Sequence, residues 1–133
     1  MATLFTKIIN RDIPGYIVAE NEDFIAFLDV FPLVMGHTLV VPKKETDYIF
    51  DMDDAELAGL MIFAKKVAKA LRSVVPCERI GVSVIGLEVP HTHVHLVPIH
   101  TVQDINFSKP KLSPEKAEMI EMTGKIKAAF DAL

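Results

Sequence analysis

Pro90-His91-Thr92-His93-Val94-His95-Leu96-Val97-Pro98 holds three of the chain's five histidines, at alternate positions. Side chains of a β-strand alternate between its faces, so residues 91, 93 and 95 share one face and Thr92, Val94 and Leu96 the other. The second set is apolar or β-branched and suits a core. The pattern predicts a strand over 91–98 whose opposite face carries imidazoles about 7 Å apart. With a reference pKa of about 6.5, imidazole serves near neutral pH as nucleophile, acid, base or metal ligand.

Working outward, Ile80-Gly81-Val82-Ser83-Val84-Ile85 predicts the preceding strand, and Gly86 to Pro90 the turn between them. His37 to Pro42 reads as a third strand, closed by a proline that cannot donate to a ladder. Tyr16 to Glu20 and Phe24 to Leu28 are β-rich runs separated by Asn21-Glu22-Asp23, a spacer of hairpin length. Between Asp53 and Val75, Leu57, Leu60, Met61, Ala64, Val67, Ala68 and Leu71 keep helical spacing, and Asp53 with Glu56 fits a capping box. Gly59, Ile62, Phe63 and Ala70 add apolar surface outside that stripe, for a second subunit, the N-terminal helix or a loop. Thr3 caps a short helix to Asn10. Ser113 with Pro114 opens a C-terminal helix to about Ala132, with Ala117, Ile120, Met122, Ile126 and Phe130 as its stripe. The expected fold class is α+β: a five-stranded antiparallel sheet, one long helix and a C-terminal helix, in a single domain over 1–133.

Composition narrows the function classes. A chain of 133 residues supports one full core. Half its residues are hydrophobic, and the mean hydropathy of +0.31 hints at self-association. A net charge of -4 leaves no basic footprint for nucleic acid or an anionic membrane. Cys77 is the single cysteine, which excludes an intramolecular disulfide and a cysteine-based zinc cluster. No uncharged apolar run reaches the ~18 residues that span a bilayer, and the start lacks a signal-peptide pattern; the expected compartment is cytoplasmic.

Two chemistries compete for the histidine row. His93 and His95 can share a metal ion with His37 or Glu88, although three strand histidines in a line do not all converge on one ion. Alternatively His93, flanked on both sides, attacks phosphorus while a neighbouring ring supports the transfer. His37, at the start of the third strand, is the best candidate to complete that group.

His91-Thr92-His93-Val94-His95-Leu96-Val97 resembles the His-x-His-x-His-x-x signature of the histidine triad (HIT) nucleotide hydrolase and transferase family, as found in bacterial HIT-like proteins. Phe5-Thr6-Lys7-Ile8-Ile9 with Asp12-Ile13-Pro14, Ala26-Phe27-Leu28-Asp29, and Gly36-His37-Thr38-Leu39-Val40-Val41-Pro42-Lys43 resemble the family's other blocks, in order, over roughly residues 3 to 100. The resemblance implies the HIT-like fold. It also implies a nucleotide hydrolase acting at the α-phosphate of a purine nucleoside phosphoramidate or dinucleoside polyphosphate. His93 is then the nucleophile that forms a nucleotidyl-histidine. His95 contacts the phosphate and assists the leaving group, His91 orients His93, and His37 is the supporting fourth histidine. Asp29 holds the ribose hydroxyls, while Phe5, Ile8 and Phe27 or Val30 wall the base. The implied assembly is a two-fold homodimer, and no cofactor or metal is required.

This chain departs from the family pattern in places. Thr3 and Thr6 stand where many relatives have Cys-x-x-Cys, half of a structural zinc site, so zinc is not expected there. The Gly-rich loop before the triad is shortened to Gly86-Leu87-Glu88-Val89-Pro90. Ser83 stands near a position often held by asparagine, and the Glu88 carboxylate would repel phosphate unless turned away or paired. A catalytically weak nucleotide-binding protein is therefore the alternative, with a metal-dependent hydrolase behind it. His100 has the wrong parity for the row and is expected to be solvated. Residues 101–133 match no family block.

Overall fold

The computed structural model describes residues 3–133. Five strands, β1 (Ile17–Glu20), β2 (Phe24–Leu28), β3 (Thr38–Pro42), β4 (Arg79–Ser83) and β5 (Val94–Ile99), form one antiparallel sheet in the order β1-β2-β3-β5-β4. The helices are α1 (Leu4–Ile9), α2 (Asp54–Val74) and α3 (Lys116–Asp131). The α+β class, the strand count and the antiparallel pairing are as the sequence predicts. Among the described residues no helix is long and apolar enough to cross a membrane.

Strand alternation gives the sheet two covered faces. Phe24, Ala26, Leu28, Val40, Val94 and Leu96 point to one side, where they pack with Leu60, Phe63, Ala64, Val67 and Leu71 of α2 and Met119 and Ile126 of α3. Ile25, Phe27, Leu39 and Val41 point to the other and meet Phe5 and Ile8 of α1. β2 and β3 are thus buried at every residue. Each large apolar side chain so placed contributes roughly 1.5–3 kcal/mol. The rings of His91 and His93 lie beside Phe5 of α1 on this second face.

Several expectations need correction. The fifth strand starts at Val94, not His91. Its partner β3 pairs Val40 with Val94 and ends at Pro42, whose carbonyl is taken by the His91 ring instead of a strand amide. Thr92 turns its amide and hydroxyl to the Thr46 carbonyl. His91 and His93 therefore stand outside the ladder and His95 within it, yet Val94 and Leu96 still face the α2 side. Nor are the imidazoles an open row, since His91, His93 and His95 are all buried and the His93 and His95 ring centroids are 4.9 Å apart.

The fourth strand ends at Ser83 rather than Ile85, and the third begins at Thr38. α2 has Asp53 as its cap, its side chain accepting from the Glu56 amide. Phe63 and Ala70, expected to face a partner, the N-terminal helix or a loop, are buried, Phe63 lying between Phe24 and Phe130 of α3. Gly59 lies against the Phe24 ring, 3.1 Å from where a Cβ would sit. Ile62 stays 58% exposed. α3 begins at Lys116: its cap is Glu115, in a capping box with Glu118, and not Ser113 with Pro114 at the first helical position as expected. Its buried residues are Met119 and Ile126; Ile120 faces outward. α3 packs across α2 and β1, covering the sheet at one edge.

Candidate active site

β5 carries His95, in register with Leu39 of β3 on one side and Ser83 of β4 on the other. His37 directly precedes β3. It is delivered by Gly36, whose φ of +95° suits glycine, and whose Cβ would meet Val75, Leu71 and Pro98 at 3.0–3.3 Å. A larger residue there combines a strained backbone with crowding against three side chains.

Hydrogen bonds with unambiguous donors assign the ring tautomers. The Leu33 amide donates to His37 Nδ1 at 3.1 Å, so that nitrogen carries no proton and Nε2 does. His37 Nε2 is 2.9 Å from His95 Nδ1 and donates to it, which leaves the His95 proton on Nε2. Burial, the largest cause, lowers His37 to about 4 and His95 to about 3, so both are neutral at pH 7. His95 thus offers an N–H.

His93 is set the opposite way. Its Nδ1 lies 2.7 Å from the His91 carbonyl, which can only accept, so the proton sits on Nδ1 and the neutral ring has its lone pair on Nε2. No protein group among the described residues bonds that lone pair. His91 itself donates from Nε2 to the Pro42 carbonyl at 2.7 Å and accepts at Nδ1 from the Thr3 hydroxyl at 3.0 Å. Thr3 in turn accepts from the Thr6 amide. The ring of Phe5 meets His93 edge-on at 4.9 Å. Burial depresses the His91 pKa more than its bond to Pro42 raises it.

His93 and His95 open on a cleft of about 290 Å³ that Asp29, His37 and Glu88 also line. Asp29 accepts from the Phe31 amide and sits 3.8 Å from His37 Nε2; burial raises its pKa, with Glu88 adding to the effect. Ile85, Gly86 and Leu87 line it beside Glu88, and the wall is completed by Phe107 and Lys111, with the Phe107 ring 4.7 Å from His95. Neither Phe107 nor Lys111 was singled out from the sequence, since they lie in the stretch that matched no family block.

The other expected residues lie elsewhere. Phe5, Ile8 and Phe27 are buried in the α1-side core and do not line this cleft. His91 is fully buried behind His93. Val30 is half exposed on the loop after Asp29, and Ser83 sits on β4 beside His95 without lining the cleft. His100 is exposed, as expected.

Among the described residues, Asp29, His37 and His95 are the group whose donor atoms come close enough to hold a metal, all within 4.8 Å. The Leu33 amide occupies the Nδ1 lone pair of His37, so ligation through Nε2 would require an imidazolate or loss of that bond. At the N-terminal helix, Thr3 and Thr6 offer hydroxyls 3.1 Å apart, already engaged with each other and with His91. These are poor zinc donors beside thiolates, and the Thr3–Thr6–His91 group does not fit a zinc ion.

The family model for the HIT domain matches residues 10–102. This chain belongs to the HIT family. Among HIT relatives, it is 34% identical over 129 residues to an uncharacterized HIT-like protein of Borreliella burgdorferi, covering 90% of this chain and 93% of that one. It is 30% identical over 137 residues to an adenosine 5'-monophosphoramidase of Schizosaccharomyces pombe, covering 96% of this chain and all of the relative. A zinc-bound histidine triad family protein from Mycobacterium smegmatis superposes with a TM-score of 0.84 at 26% identity, over 99% of this chain and 95% of the other. The HIT signature histidines are thus the ones whose tautomers the fold sets in opposite senses.

Proposed function

We propose that the chain hydrolyses a phosphorus–nitrogen or phosphoanhydride bond at the α-phosphate of a purine nucleotide, through a nucleotidyl group on His93 Nε2. What supports this is the pairing of an unprotonated nitrogen on His93 with an N–H on His95 in one cleft. The lone pair of His93 attacks phosphorus and the bond to the leaving group breaks. A phosphate leaves as its anion, and an amine takes a proton from water. The His95 N–H donates to an oxygen at phosphorus. It stabilises charge without giving up its proton, because His95 Nδ1 is already occupied by the His37 N–H. Water then displaces His93, releasing the nucleoside monophosphate and a proton. The His91 carbonyl holds the ring throughout and stabilises the positive charge of the phosphorylated imidazole.

Asp29 suits the vicinal hydroxyls of a ribose, two donors for one carboxylate. No metal is assigned a step in this mechanism. The S. pombe relative's name, adenosine 5'-monophosphoramidase, favours a phosphoramidate of adenosine. The chain is read as a cytoplasmic homodimer: β4 has one unpaired edge, and Val82, Ile85, Tyr48, Phe50, Met61 and Ile62 expose apolar surface.

Glu88 in the cleft wall favours the second reading, a nucleotide binder with little turnover. Rapid-quench labelling with adenosine 5'-phosphoramidate separates the two. An acid-labile adenylyl adduct mapped to His93 supports the hydrolase, whereas bound AMP without adduct or turnover supports the binder. Activity abolished by chelator and restored by metal would replace both with a metal-dependent hydrolase.

A further inference from the structure

The segment joining β5 to α3 belongs to no family block, yet it closes one side of the cleft. Its backbone is pinned: the Leu112 amide donates to the Pro32 carbonyl, and Asn106 accepts from the amide and the hydroxyl of Ser108. Phe107 lies edge-on to His95 at 4.7 Å and to His37 at 6.1 Å, so the strap is seated on the histidines. Lys111 follows one helical turn's length of chain later. Its ammonium donates to the Phe107 carbonyl at 2.6 Å and to the Lys109 carbonyl at 3.1 Å, which holds it at the cleft wall.

The charges around the cleft give this placement its meaning. Asp29 and Glu88 are carboxylates, His37 and His95 are neutral at pH 7, and Lys111 is the permanent cation among the described lining residues. Lys111 forms no ion pair with either carboxylate among the described residues, although its charge is felt at both Asp29 and His37. An anionic phosphoryl group entering this cleft meets two like charges, and one lysine to offset them. The turn before the triad, Gly86-Leu87-Glu88-Val89-Pro90, carries no side-chain donor to add to that lysine.

We propose that Lys111 is a phosphate-binding residue of this site, its ammonium contacting a non-bridging oxygen of the nucleotide α-phosphate from the segment joining β5 to α3. This assignment rests on the nucleotide reading above. It gives the strap a direct part in substrate recognition, with Phe107 anchoring the segment and Lys111 supplying the charge. A lysine suits the task because its flexible stem lets the ammonium leave two carbonyls for a phosphate as a point charge.

The test is the preference for AMP over adenosine, measured by calorimetry at low and at 0.5 M salt for the wild type, Lys111→Met and Lys111→Arg. The two ligands share base and ribose and differ in the phosphate. Lys111→Met is expected to lower the preference about tenfold at low salt, the size of one charge-assisted hydrogen bond at a solvent-reached site. Lys111→Arg should keep most of it, and high salt should narrow the gap. A wild-type preference that survives in Lys111→Met overturns the assignment and leaves the nucleotide reading intact. So does a proportionate loss of both ligands in the two variants, which would make the lysine a fastener of the strap. A wild type that binds AMP no better than adenosine overturns both.

Discussion

The Thr3 hydroxyl donates to His91 Nδ1 across 3.0 Å of buried space, joining the first turn of α1 to the first histidine of the triad. His91 donates onward to Pro42, and its carbonyl takes the Nδ1 proton of His93. Two threonine hydroxyls thus support the first histidine of the triad in this chain.

Thr3→Val removes that donor and the cap of α1 together. The expected loss is about 1–3 kcal/mol of stability, with kcat falling several-fold more than KM changes, because His91, whose carbonyl holds His93 Nδ1, loses one of the two bonds that anchor its ring. Thr3→Ser should restore both. Urea midpoints together with steady-state kinetics on a phosphoramidate check this; a lower urea midpoint with unchanged kcat would confine Thr3 to a structural role.

His93→Ala should lower turnover by on the order of 10³-fold or more while AMP affinity stays within about threefold, because the ring acts in bond-making. Asp29→Ala should weaken AMP roughly tenfold, the worth of a charged hydrogen bond, with a smaller effect on the rate at saturation. Equal losses of affinity with preserved rates would sink the assigned roles.

Acid should destabilise the fold through its buried imidazoles. The unfolded chain protonates these rings near pH 6.5, whereas the folded chain protonates His37 only near 4 and His95 near 3. Between those limits the unfolded state holds more protons, so stability is full above about pH 6.5 and declines as pH falls. For His37 alone this amounts to on the order of 2–3 kcal/mol between pH 7 and 4.5. Asp29 works in the opposite sense: its raised pKa favours the folded state at the acid end and offsets part of the loss. Urea titrations at pH 7, 6 and 5 should show a falling midpoint, and His37→Gln should flatten that slope.

Gly36→Ala should cost about 2 kcal/mol or more, combining a left-handed backbone with a methyl group against Val75 and Leu71. Because the next residue is His37, the loss should appear in AMP release as well as in thermal melts.

In solution the chain should sediment as a dimer. Val82→Asp, on the unpaired edge strand, should shift it to monomer; Ile120→Asp, equally exposed but on α3, should leave it unchanged. Analytical ultracentrifugation at micromolar concentration distinguishes these outcomes.

Much of the molecule was legible in its residues because periodicity is a local property. Short β-rich runs bounded by polar or proline breaks placed β2 and β3, the 3, 4 spacing placed α2, and the parity of Val94 and Leu96 against His95 survived intact, as did the family assignment carried by the triad and the Gly36-His37 block. Three things could not be read. β5 begins at Val94 because its neighbour runs out of amides at Pro42; α3 begins at Lys116 because Glu118 reaches back to the Glu115 amide; and Phe63 is covered by a helix far along the chain.

The ring protons belong to the tertiary structure for a deeper reason. Every residue except proline offers the same N–H and every residue the same C=O, so no side-chain pattern says which of them an imidazole will meet. Amino-acid order brought three histidines to one place. Folding set the Leu33 amide against His37, the Pro42 carbonyl against His91 and the His91 carbonyl against His93, and so decided which nitrogen of each ring keeps its lone pair.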